Sequence, residues 1–146
     1  MKPITGRFNN TLDPVSIAPV TLSDAYFATA NGLMRGVRLL AVAEPDMCVV
    51  LGFLAGQTLE CLLKAHLSKC GIPEKELSKP ALRHNLKELW LRCDQSGLTC
   101  ASVLPQWVEC LRALHDRPFN LRYPMELNGL VLPGAQPMTR ARCVAI

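Results

Sequence analysis

The stretch DMCVVLGFLAGQTLECLLKAHLSK, residues 46–69, decides the fold. Val49, Val50, Leu51, Phe53, Leu54, Leu59, Leu62, Leu63 and Leu67 fall on most sides of a helix. Such a pattern belongs to a central helix packed by several neighbours, not to an amphipathic helix lying on a surface. One polar seam interrupts it, Gln57, Glu60, Lys64 and Ser68, at spacings of three and four that line up along one face. Downstream, Gly71 and Pro73 supply a stop for the helix.

Upstream, Thr21 and Asp24 form an N-terminal cap, and Leu22, Tyr26, Ala30, Leu33, Val37, Leu40 and Ala41 recur at helical spacing until Pro45. Residues 21 to about 43 are therefore expected to form a first helix, hairpinned onto the central one through a turn near Glu44. Glycines four apart occur in both, at 32 and 36 and at 52 and 56. Helix interiors normally avoid glycine, at a cost of about 1 kcal/mol each. In an antiparallel hairpin Gly36 lies level with Gly52 and Gly32 with Gly56, so the sequence predicts a tight crossing there.

After a polar connector, Asn85 and Glu88 mark the start of a third helix, residues 86 to about 95, with Leu86, Leu89, Trp90 and Cys93 inward. A fourth is expected over residues 105–115, burying Trp107, Val108, Leu111 and Leu114 before Pro118. The class is all-α: an up-down bundle of four principal helices with a long N-terminal hairpin. Residues 1–20, with Pro3, Pro14 and Pro19, read as an irregular arm, 21–124 as the bundle, and 125–146 as a C-terminal tail.

Composition bounds the function. At 146 residues, 49% hydrophobic and 19% charged, the chain has enough apolar content for one packed domain, which excludes wholesale disorder. The longest stretch free of charge in the apolar middle, residues 47–59, is 13 long, against about 20 for a bilayer-spanning helix. No apolar leader opens the sequence, so a cytoplasmic protein without membrane contact is expected. The seven cysteines include no close ligand pair, and Cys61 and Cys93 sit in apolar patterns, so neither zinc nor another metal or cofactor is expected. A net charge of +4 permits an anionic partner without demanding one. The excess gathers from Arg117 onward, with four arginines against Glu126 alone.

Three segments, AGQTLECLLKAHL (55–67), RHNLKELW (83–90) and LRYP (121–124), resemble the HEPN superfamily in order and spacing. The matching positions are Gly56, Glu60, Lys64, Ala65 and Leu67; His84, Asn85 and Leu86; and Arg122, Tyr123 and Pro124. The resemblance implies a helical bundle, frequent homodimers, nucleotide or RNA binding, and work beside a nucleotidyltransferase or in toxin–antitoxin and defence systems. Ribonuclease members carry an arginine followed, after four to six residues, by a histidine. No such pair exists here, which points away from catalysis.

The expected ligand-binding set is Glu60, Lys64, Arg83, His84, Arg122 and Tyr123. Tyrosine offers a stacking face for a base and arginine a fork for phosphate. His84, beside a helix N-terminus with its free amides, could face a phosphate; structurally it could equally pack on the central helix and donate to a backbone carbonyl. Arg112 and His115, which share a helix face, or His84 are the candidates for a ribonuclease. Their structural alternative is an Arg112–Asp116 pair, with His115 capping the last carbonyls. Two further readings stay open, a metal-independent ribonuclease and a purely structural partner subunit.

Overall fold

The computed structural model describes residues 20–99 and 103–116. They form five helices, α1 (Leu22–Ala43), α2 (Cys48–Lys69), α3 (Glu74–Leu77), α4 (Leu86–Gln95) and α5 (Gln106–His115), and no strand among the described residues. The all-α class therefore holds. The N-terminal arm up to residue 19, the C-terminal tail, Arg122 and Tyr123 lie outside the described residues.

The ends of the helices follow their local chemistry. Thr21 Oγ1 accepts from the Asp24 amide at 3.1 Å, and Asn85 Oδ1 accepts from the Glu88 amide at 3.1 Å. Glu88 does not reciprocate the cap as expected; its carboxylate instead receives Arg92 Nε at 3.2 Å, one turn along. Helix α2 ends where Gly71, at φ +91°, lets the Ile72 amide reach back to the Leu67 carbonyl at 3.0 Å. That left-handed position suits glycine because no Cβ collides there.

The α1–α2 hairpin runs antiparallel. Ser23 Oγ, at the start of α1, donates to the Ala65 carbonyl near the end of α2 at 2.9 Å, which is the register the glycine numbering implied. The reason given for it fails, however. A Cβ on Gly32 would meet nothing within 4 Å, and one on Gly36 would only touch Leu54 at an ordinary 3.7 Å. Side chains such as Leu54 separate the helices at Gly36, so these glycines do not mark a close backbone crossing.

Helix α2 is the hub. It packs on α1, α4 and α5, and twelve of its residues are buried. Leu51, Leu59, Leu63 and Leu67 are fully enclosed, together with Leu77, Leu82, Leu86, Leu89 and Leu111 from the later segments. Each such leucine stabilises the fold by about 1.5–3 kcal/mol through apolar burial. Trp90 and Trp107 pack edge to face, with ring centroids 6.0 Å apart. By length and hydropathy α2 would also suit a bilayer, yet it carries Glu60 and Lys64 paired inside the protein core. Cys61 and Cys93 are buried, as their apolar setting suggested.

Candidate functional site

The polar seam of α2 and the opening of α4 meet. Glu60, its side chain only 2% exposed, stands at the centre and uses both carboxylate oxygens. Oε1 accepts from Lys64 Nζ at 2.6 Å; Oε2 accepts from His84 Nδ1 at 2.9 Å and from His115 Nε2 at 2.6 Å. Three side chains, one each from α2, the connector before α4, and α5, thus converge on one carboxylate. The two imidazoles lie edge to face with centroids 5.7 Å apart, and Lys64 Nζ sits 5.9 Å from the centre of the Tyr26 ring.

Each position has a local cause. Glu60 and Lys64 are one turn apart on α2, so their pairing is a property of helix geometry. His84 has φ +57°, a left-handed conformation that costs a non-glycine residue roughly 1–2 kcal/mol. That backbone turn, between buried Leu82 and the Asn85 cap, accompanies an imidazole held on Glu60. His115 enters because position 56 has no side chain: a Cβ there would lie 2.9 Å from the imidazole.

Electrostatics follow from burial and partners. Desolvation pushes the Glu60 carboxyl upward, but the hydrogen bonds from His115, Lys64 and His84, with the Lys64 charge, overcome it and hold the group well below the usual carboxylate range. Glu60 is therefore an anion at neutral pH. A carboxylate only accepts, so His84 Nδ1 and His115 Nε2 are the protonated nitrogens.

The opening of α4 already holds an internal anion. Asp116 Oδ1 accepts from the Leu86 amide at 3.1 Å, and Asn85 takes the Glu88 amide. Carboxylates are stabilised at helix N-termini by these free amides and the helix dipole. Burial still pushes the Asp116 carboxyl above its ordinary value, with the Leu86 hydrogen bond opposing.

Of the expected site residues, Glu60, Lys64 and His84 come together, joined by His115. Glu60 and Lys64 form a buried pair instead of lining an open groove, and Arg83 is exposed. His84 bonds a side-chain carboxylate through Nδ1. Arg112 and His115 take separate partners: Arg112 Nε bonds Glu109 at 2.6 Å and reaches Asp116 only at 4.0 Å, while His115 turns inward. The cap on the last carbonyls expected of His115 is thus replaced by a buried hydrogen bond to Glu60. One signal was available, since Val108, Leu111 and His115 are spaced by three and four and so share the buried face of α5.

The cluster is a buried carboxylate–imidazole–ammonium network in an all-α protein. Glu60 Oε2, His84 Nδ1 and His115 Nε2 lie within 4.8 Å of one another, a set able to hold a metal ion. Chemically it can also store or relay a proton, because two imidazoles share one acceptor. Compared with known proteins, the chain matches no family model, no curated protein and no solved structure.

Proposed function

We propose that this chain is a HEPN-like, non-catalytic binding module, an up-down bundle of α1, α2, α4 and α5 that recognises a nucleotide, an RNA or a partner protein through the surface around Arg83 and His84. The supporting observation is the contact between Glu60 and a left-handed His84 at 2.9 Å, next to exposed Arg83. Strained non-glycine backbone persists only where its surroundings over-determine it, and such residues cluster at ligand sites. In this reading Glu60, Lys64 and His115 position His84, and Arg83 with Arg122 and Tyr123 contacts the ligand. The protein is cytoplasmic and homodimeric, and serves beside a nucleotidyltransferase or within a toxin–antitoxin or defence pair. Exposed Leu39, Val42, Met47, Val49 and Val50, around the α1–α2 turn, are the surface offered to a second chain.

Binding would be mainly electrostatic and salt-sensitive. The test is equilibrium binding of fluorescent ATP and of a short single-stranded RNA in a metal-free buffer. The Arg83→Ala, Arg122→Ala double variant should keep the wild-type melting temperature and lose at least tenfold in affinity. Undiminished affinity in that variant removes the site.

A second reading, a metal-independent ribonuclease, draws support from the pairing of His84 and His115 on one carboxylate. Acid–base catalysis needs two groups able to exchange protons with substrate. His115, 1% exposed, would need the cluster to open first, which favours the binding reading. Purified protein that leaves labelled RNA intact over a long incubation disposes of the ribonuclease.

A further inference from the structure

We propose that Glu60, His84 and His115 form a binding site for one divalent transition-metal ion, with zinc as the ion of choice. Two imidazole nitrogens and one carboxylate oxygen are a donor set suited to zinc and to other first-row ions that keep open coordination positions. No cysteine takes part, and the three ligands come from α2, the connector before α4, and α5, far apart in sequence.

The spacing fits. Two ligands held about 2.1 Å from one tetrahedral ion lie about 3.4 Å apart. The two nitrogens stand 2.9 and 2.6 Å from the same Glu60 oxygen, and all three donor atoms fall within 4.8 Å. Outward movements of the two imidazoles by less than about 1 Å each complete the bite. The ion then replaces the two hydrogens that now lie between these atoms, so each ligating nitrogen gives up its proton to the other ring nitrogen or to solvent.

The supporting shell is built as metal sites require. Lys64 holds Oε1 at 2.6 Å, which fixes the carboxylate and leaves Oε2 directed at both rings. Gly56 clears the position of the His115 ring, and the left-handed backbone of His84 accompanies the inward placement of its imidazole. The approach is from the His84 side, where the side chain is 12% exposed against 1% for His115. The nearby positive charge of Lys64 opposes a dication and sets the affinity below that of a closed structural zinc site.

Full-length protein stripped with chelator and titrated with Co²⁺ should develop visible d–d absorption that saturates at one equivalent and is displaced by Zn²⁺. Glu60→Gln and His84→Ala should each weaken the ion at least tenfold, whereas Cys70→Ser, which removes the exposed thiol 3.5 Å from His66, should not. The wild-type titration decides the matter even if a cluster variant misfolds. No saturable binding by folded wild-type protein overturns the proposal, as does binding that survives His84→Ala and disappears in Cys70→Ser. Nucleotide affinity, measured without metal, is a separate readout.

Discussion

Gly56 and His115 are complementary across the α2–α5 contact: the missing Cβ of one is the space occupied by the imidazole of the other, 2.9 Å away. His115 resists displacement, because Nε2 is bound to Glu60 at 2.6 Å and its side chain is 1% exposed. Gly56→Ala should therefore destabilise the protein by about 1–3 kcal/mol through overpacking, although alanine ordinarily favours a helix. Urea unfolding measures the loss. Adding His115→Ala should recover part of it, giving a non-additive double-mutant cycle; strict additivity would show that the two positions do not interfere.

Glu60 accepts hydrogen bonds from Lys64, His84 and His115 together. Removing its charge leaves an ammonium group 8% exposed without a counter-ion. Breaking a buried pair in this way costs about 3–5 kcal/mol. Glu60→Gln should fall in that range by chemical denaturation, while the double variant Glu60→Leu, Lys64→Met should recover much of the stability. A single-variant loss below about 1 kcal/mol would show that water reaches the cluster freely.

The local features of this fold are legible in the sequence, whereas the long-range ones are legible only in part. Thr21 with Asp24 and Asn85 with Glu88 act over three residues, so their caps can be read from the chain. Gly71 ends α2 by an equally local rule. Glu60 and His84 could be paired through motif order, but His115 lies 55 positions from its carboxylate partner. Nothing in the spacing of α5 specifies which helix its buried face meets. Gly56 illustrates the same limit: the need for a small residue was visible, but the sequence could not distinguish a backbone neighbour from an imidazole.

Acid should loosen the fold through Glu60. Its folded carboxyl titrates well below the ordinary 4.5, facing Lys64, His84 and His115. A depressed folded value contributes stability that is complete above the unfolded value and is lost as pH falls through the window down to the folded one. Unfolding free energy should accordingly decline below about pH 4.5, with a shallower decline in Glu60→Gln. Parallel pH profiles for the two proteins would assign the acid sensitivity to other carboxyls.

His84 separates conformational strain from side-chain bonding. At φ +57°, His84→Ala keeps the strain and loses the Glu60 bond, whereas His84→Gly loses the bond but relieves the strain. Glycine should therefore be the more stable replacement by about 1 kcal/mol, reversing the ordinary order of alanine and glycine. Thermal melts of the two variants under one buffer measure the difference. Alanine equal to or above glycine would mean that the connector changes conformation once the imidazole is gone.

Asp116 ends α5 and caps α4, where its Oδ1 receives the Leu86 amide at 3.1 Å. The hydrogen bond needs an acceptor but not a charge, and burial makes the charge costly, since the folded carboxyl is raised above its ordinary 3.8. A raised folded value means that the ionised group opposes folding at neutral pH and that the penalty disappears as pH falls to the unfolded value. Asp116→Asn keeps the acceptor without the charge and should stay within about 0.5 kcal/mol of wild type at pH 7. Asp116→Ala leaves the amide unpaired and should cost about 1 kcal/mol, the usual loss for a missing cap. If asparagine proves as damaging as alanine, the carboxylate charge at the α4 terminus outweighs its burial, and the dipole and Arg112, 4.0 Å away, stabilise it more than desolvation opposes it.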